Sequence, residues 1–174
     1  GGTTYLTGTN SFANIRNTGV NATIINNGVT TDDLFNTVGN TYINNATQNA
    51  NVALNTGTVI NSATGTWNGD VNAGANTGTG VVTNQGTWNG VGNNDGGHLN
   101  NYGVWTGPIN NNSGAFDNFA GGTVSGLVTN AGTSTNAGAL NGGVTNSGNF
   151  YNMSGGAVVG GLTNTAGLSV NNAG

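Results

Sequence analysis

The chain contains no cysteine, no lysine and no glutamate. Without cysteine there is no disulfide and no thiolate metal site. A thiol-free composition fits exported bacterial proteins and many cytosolic ones alike, so it does not discriminate between them. Arg16 is the only cation, and the anions are Asp32, Asp33, Asp70, Asp95 and Asp117, for a net charge of −4. That balance lacks the electrostatic footprint of nucleic-acid binding. It also leaves nothing to hold an anionic membrane surface. No apolar run is long enough to cross a bilayer as a helix, so this segment is not expected to insert in a membrane. Proline occurs once, at Pro108. Strong helix formers are scarce, and no apolar stripe recurs at helical spacing. The chain opens Gly1-Gly2-Thr3 with neither Met nor a basic leader, and we expect a processed protein or an excised fragment.

What fills the space is glycine and asparagine, 34 and 36 of the 174 residues. A short phrase returns along the chain: an apolar residue, any residue, then Asn, often with Gly soon after. It reads Val82-Thr83-Asn84, Val128-Thr129-Asn130, Val144-Thr145-Asn146 and Leu162-Thr163-Asn164. Ile24-Ile25-Asn26, Val59-Ile60-Asn61, Phe116-Asp117-Asn118, Phe150-Tyr151-Asn152 and Phe12-Ala13-Asn14 are looser copies. In extended backbone, residues i and i+2 share a face. Each phrase therefore aims one apolar side chain and one carboxamide the same way. Disordered chains are usually charged and poor in β-branched residues, whereas this one is nearly uncharged and rich in Thr, Val and Ile.

The copies recur at roughly 16 to 21 residues, too short for helical-pair repeats or propeller blades. The spacing predicts one all-β domain over 1–174, a parallel β-solenoid of roughly nine rungs, with about three short strands to a rung. Residues 64–174 hold the regular repeats. Residues 1–63 are less regular, either the same solenoid with longer corners or a capping region. The stretch from Gly92 to Gly107 suggests a rung with a bulged corner. The dipeptides Asn27-Gly28, Asn68-Gly69, Asn89-Gly90 and Asn141-Gly142 leave open a stack of antiparallel hairpins.

The Asn of each phrase can sit inside a bend and bond the Asn above and below, since a carboxamide both donates and accepts. We expect such a ladder at Asn26, Asn61, Asn84, Asn130, Asn146 and Asn164. Trp67, Trp88 and Trp105 recur near the rung length in Gly-Thr-Trp-Asn-Gly and Gly-Val-Trp-Thr-Gly settings. They form either an exposed strip for sugars or surfaces, or a buried flank or inter-chain interface.

Chemistry-bearing groups are sparse. His98 with Asp95 does not make a metal site, which needs three or four converging ligands. Asp32 and Asp33 read as a solvated corner. Paired carboxylates for glycoside hydrolysis, a nucleophile elbow and a phosphate loop with its Lys are all missing. We expect no enzyme and no cofactor.

The phrases Gly143-Val-Thr-Asn-Ser-Gly-Asn-Phe and Leu140-Asn-Gly-Gly-Val-Thr-Asn resemble the Asn/Gly/Thr repeats of bacterial surface proteins, autotransporter passengers and filamentous-haemagglutinin-like adhesins. The resemblance covers residues 60–174 well and the rest loosely. It implies a right-handed β-helix displayed outside the cell, without a cofactor. The expected role is an extracellular adhesin stalk or surface-fibre subunit. Its expected partners are further copies stacked end to end into filaments, or a host or surface glycan. The alternatives are a carbohydrate-binding module using the Trp strip and an ice-binding solenoid with aligned Thr.

Overall fold

Apolar-x-Asn phrases broken by Gly cannot sustain long strands, but they suit many short ones stacked across successive coils. The computed structural model, which describes residues 1–172, is such a coil. Its 26 strands form two sheets, one of 17 strands and one of nine. No helix occurs among the described residues. A turn of the β-solenoid consists of three strands, as in Thr23–Asn26, Val29–Thr30 and Leu34–Asn36. First and third strands belong to the larger sheet and second strands to the smaller, so nine second strands count nine turns. Leu168–Asn171 begins a tenth.

All pairings are parallel, and most run in unbroken register, Thr41–Asn44 under Thr58–Asn61 under Val81–Asn84, for example. That rules out the hairpin stack: the Asn-Gly dipeptides turn corners between consecutive walls of the coil. Residues 1–63 run in the same three-strand turns, with Thr3–Leu6 already paired to Thr23–Asn26. Turn length spans 16 to 23 residues between equivalent asparagines. The longest exceeds the spacing expected from the sequence because Val71–Asn76 carries a bulge, where register is lost between Val71 and Asn76. A second irregularity lies in the stretch where a bulged corner was expected: Gly92–Asn101 runs through its corner as one ten-residue strand, with register shifts around Asp95.

The interior is a bundle of axial files, one from each wall. First strands contribute Tyr42, Val59, Val82, Leu99, Phe116 and Phe150, and third strands Ile15, Leu34, Val52, Val71, Ile109, Val128 and Val144. The second strands contribute the bulkiest file, Trp67, Trp88 and Trp105, followed by Val124 and Leu140. The three indoles lie face to face, 4.5 and 4.7 Å between ring centroids and within 8° of parallel. Aromatic files of this kind add about 0.5–1.5 kcal/mol per pair beyond their buried area.

The Trp file needs space, and Gly92 provides it. Gly92 stands between Val71 and Ile109 in the third-strand file, where its neighbours are aliphatic. A Cβ there would lie 2.7 Å from the Trp105 ring and 2.7 Å from Ile109 Cδ1. Gly92→Ala should therefore lower stability by about 1–3 kcal/mol through overpacking. Urea unfolding measures this, and an unchanged midpoint would show that the Trp file does not fill the coil at this level.

Candidate functional site

A carboxamide buried away from water must find partners for both N–H groups and its oxygen. The solenoid meets this demand by stacking asparagines at two corners, so the single file expected from the sequence is in fact two. The first ladder closes the first strands: Asn26, Asn44, Asn61, Asn84, Asn101, Asn118, Asn136, Asn152 and Asn171. In each step Nδ2 donates to Oδ1 of the next turn's Asn at 2.7–2.9 Å. The second closes the third strands: Asn17, Asn36, Asn55, Asn76, Asn94, Asn111, Asn130, Asn146 and Asn164, at 2.6–2.9 Å. Asn26, Asn61 and Asn84 thus belong to one ladder, and Asn130, Asn146 and Asn164 to the other. The four closest copies of the phrase divide accordingly. Val82-Thr83-Asn84 lies on one wall and the copies at 128, 144 and 162 on another. Phe12-Ala13-Asn14 joins neither, and Phe12 is exposed.

From Asn26 to Asn136 in the first ladder and from Asn17 to Asn146 in the second, Nδ2 also reaches the backbone of the next turn, just past the corner. Asn84 donates to Val104 O at 2.9 Å and Asn130 to Asn149 O at 2.9 Å. One side chain therefore ties its own corner, the Asn above and the strand leaving the corner above.

The tryptophans are interior. All three are 0% exposed, which decides between the two readings of Trp67, Trp88 and Trp105 for the buried one: their faces are covered by each other, and no sugar reaches them. Their indole Nε1 groups donate to Ala50 O, Gly69 O and Gly90 O at 2.8–2.9 Å, each one turn below. Gly69 and Gly90 are the glycines that follow each Trp-Asn pair, and a side chain on either would run into the backbone one turn below. Trp and Gly recur together because the corner of one turn accepts the indole of the next.

The carboxylates are likewise absorbed into cross-turn bonding. Asp33 Oδ1 accepts from Asn51 N at 2.9 Å, and Asp70 Oδ1 accepts from Val91 N at 2.8 Å. Asp95 accepts from Gly74 N at 2.7 Å and Asn112 Nδ2 at 2.9 Å, and Asp117 accepts from the Thr135 hydroxyl. Asp32 corrects the expectation of a solvated corner. It is 5% exposed, and its Oδ1 accepts from Phe12 N at 2.7 Å, while Oδ2 has no partner. It borders a buried polar cluster in which Tyr42 and Thr30 hydroxyls donate to Gln48 Oε1, and Gln48 Nε2 donates to Asp32 O at 2.7 Å. Arg16 lies over the Phe35 ring, 4.5 Å from its centroid. His98 is exposed on a first strand, and among the described residues no three His, Cys, Asp or Glu side chains converge. At the C-terminal end, Phe150, Ala157, Val158 and Leu162 line a hollow of about 370 Å³.

The Tyr42 cluster was not legible in advance, since nothing local distinguishes Gln48 from the many surface amides. The second ladder was partly legible in Asn17, Asn36, Asn94 and Asn111, each two residues after an apolar residue or a Gly at a core position. In Val52-x-x-Asn55 and across the Val71–Asn76 bulge that spacing is lengthened.

Set against known protein families, curated proteins and solved structures, the chain has no match.

Two predictions follow the chemistry of this interior. In Asn101→Asp the carboxylate can still accept from Asn84 but faces Asn118 Oδ1 with no proton to give. Burial raises the pKa of such an acid above its unfolded value of about 3.9. The neutral form is then the one the fold prefers. Stability should be greatest below the unfolded pKa and fall as pH rises through the interval up to the folded one. Denaturation at acid and neutral pH checks this, and equal loss at both would contradict the ladder. Burial first, then the nearby Asp32 charge, pushes the Tyr42 phenol well above its usual value. Its contribution is present below about pH 10 and lost as pH rises beyond. Ultraviolet titration should show one tyrosine that ionises only on unfolding.

Proposed function

We propose that the chain is a load-carrying structural segment of an extracellular adhesin stalk or surface fibre. The observation that carries this reading is the pair of Asn ladders, each unbroken over eight steps. Supporting it, carboxylates, indoles and buried amides alike are committed to cross-turn bonds, which leaves the molecule's chemistry directed at holding length and register. A coil of nine turns at about 4.8 Å per strand spacing makes a rod on the order of 40 Å. A further turn placed in register continues both ladders, whether it comes from the same polypeptide or from another copy. End-to-end self-association is thus part of the proposal. The resemblance to autotransporter and haemagglutinin-like repeats supports display outside the cell, where a thiol-free rod needs no disulfide.

A host or surface glycan would not meet the three tryptophans, which are enclosed; the aromatic side chains it could meet are Tyr5, Phe12 and Tyr102, among amide and hydroxyl groups. For the ice-binding alternative, Thr129, Thr145 and Thr163 remain aligned on one wall, while Thr83 stands on another.

Antibodies raised to the chain should label intact source cells, and negative-stain microscopy should show straight rods or filaments of uniform width. Signal only after permeabilisation, or compact particles without an axis, would overturn the proposal.

A further inference from the structure

The outward side of the second strands carries a file of small polar residues, and its hydrogen bonding changes along the axis. Asn68 Nδ2 donates to Asn49 Oδ1 at 2.8 Å, Asn89 Nδ2 to Asn68 Oδ1 at 2.8 Å, and Thr106 Oγ1 to Asn89 Oδ1 at 3.1 Å. Both polar atoms of Asn68 and Asn89 are therefore held. Two turns further on, Asn141 occupies the same place, above Ser125 and below Val159, as the pairing of Val124 with Leu140 and Leu140 with Val158 requires. The Asn141 carboxamide is exposed and makes no hydrogen bond, and neither does the Gly142 amide. The Ser125 hydroxyl makes no bond to it, and Val159 has nothing to offer.

The four exposed Asn-Gly dipeptides thus differ in a chemically consequential way. At Asn27-Gly28 the Gly amide is held by Asn26 Oδ1 at 3.0 Å, and Asn27 Oδ1 accepts from Asn45. At Asn68-Gly69 and Asn89-Gly90 the side chain is tied at both ends. Only at Asn141-Gly142 are the attacking nitrogen and the amide carbon both untethered.

We propose that Asn141 is a spontaneous deamidation site of the folded protein, with water as the only co-reactant. The Gly142 nitrogen gives its proton to solvent and attacks Asn141 Cγ. Nδ2 takes up a proton from solvent, the Cγ–Nδ2 bond breaks and ammonia leaves, closing a five-membered succinimide. Water then adds to either carbonyl and opens the ring to aspartate or isoaspartate, with no change of oxidation state. The product adds one negative charge. As isoaspartate it also adds a backbone methylene to a corner where Gly142 already lies against the Gly126 backbone. The outcome is a slow, irreversible marker of age at one corner of the rod.

Peptide mapping by mass spectrometry, after incubation of the folded chain in mildly alkaline buffer, tests this. Asn141 should convert first, with Asn68 and Asn89 slower by about tenfold, the factor that their hydrogen bonds can supply. In urea the four sites should converge. Asn141→Gln should abolish the fast phase and leave the slow ones. Ser125→Asn, which places an amide below Asn141, should slow it. Conversion at Asn68 or Asn89 as fast as at Asn141 in the folded chain, or an Asn141 that persists, would overturn the assignment.

Discussion

One carboxamide donating to the next, turn after turn, is the bond on which the rest of this molecule depends. In water such a bond contributes little, but inside the coil each Asn has lost its water and has no other complete set of partners. Register becomes obligatory for the same reason. A slip of one residue would exchange inward and outward faces, burying side chains that now face solvent and orphaning donors along a whole ladder. The two ladders sit at different corners, so they constrain rotation about the axis as well as rise along it.

Close stacking at the corners follows from that register. Where backbones of adjacent turns meet at Gly69 and Gly90, any Cβ would strike the turn below. The freed carbonyls are then available to the indoles of Trp88 and Trp105. Glycine, tryptophan and asparagine thus play three coupled parts. Glycine brings the turns together, tryptophan fills the widened interior, and asparagine fixes which residue faces which. The scarcity of charge is consistent with this division, since carboxylates persist where a backbone or side-chain donor one turn away receives them.

Much of the architecture could be read from local phrases. The apolar-x-Asn spacing carries both the strand and the inward amide, so Asn84 and Asn146 were recognisable without coordinates. Their assignment to different ladders was not, because the phrase is the same on two walls and only the pairing of distant turns separates them. Trp67, Trp88 and Trp105 were recognisable as an aligned file, yet their period says nothing of which side of the strand they occupy. The inward side is settled by Gly92, on a different strand, and by carbonyls some 15 to 19 residues earlier. Asp32 looked like a solvated corner because its burial depends on Phe12 and Gln48, contributed by the turns on either side.

The central claim is that equivalent asparagines of successive turns bond in two separate files. Nuclear magnetic resonance detection of scalar coupling across these hydrogen bonds, from the side-chain nitrogen of one Asn to the amide carbon of the next, tests it directly. The account predicts couplings from Asn84 to Asn101 and from Asn130 to Asn146, and none linking Asn84 to Asn130. Couplings between the two sets, or their absence in a folded sample, would contradict it.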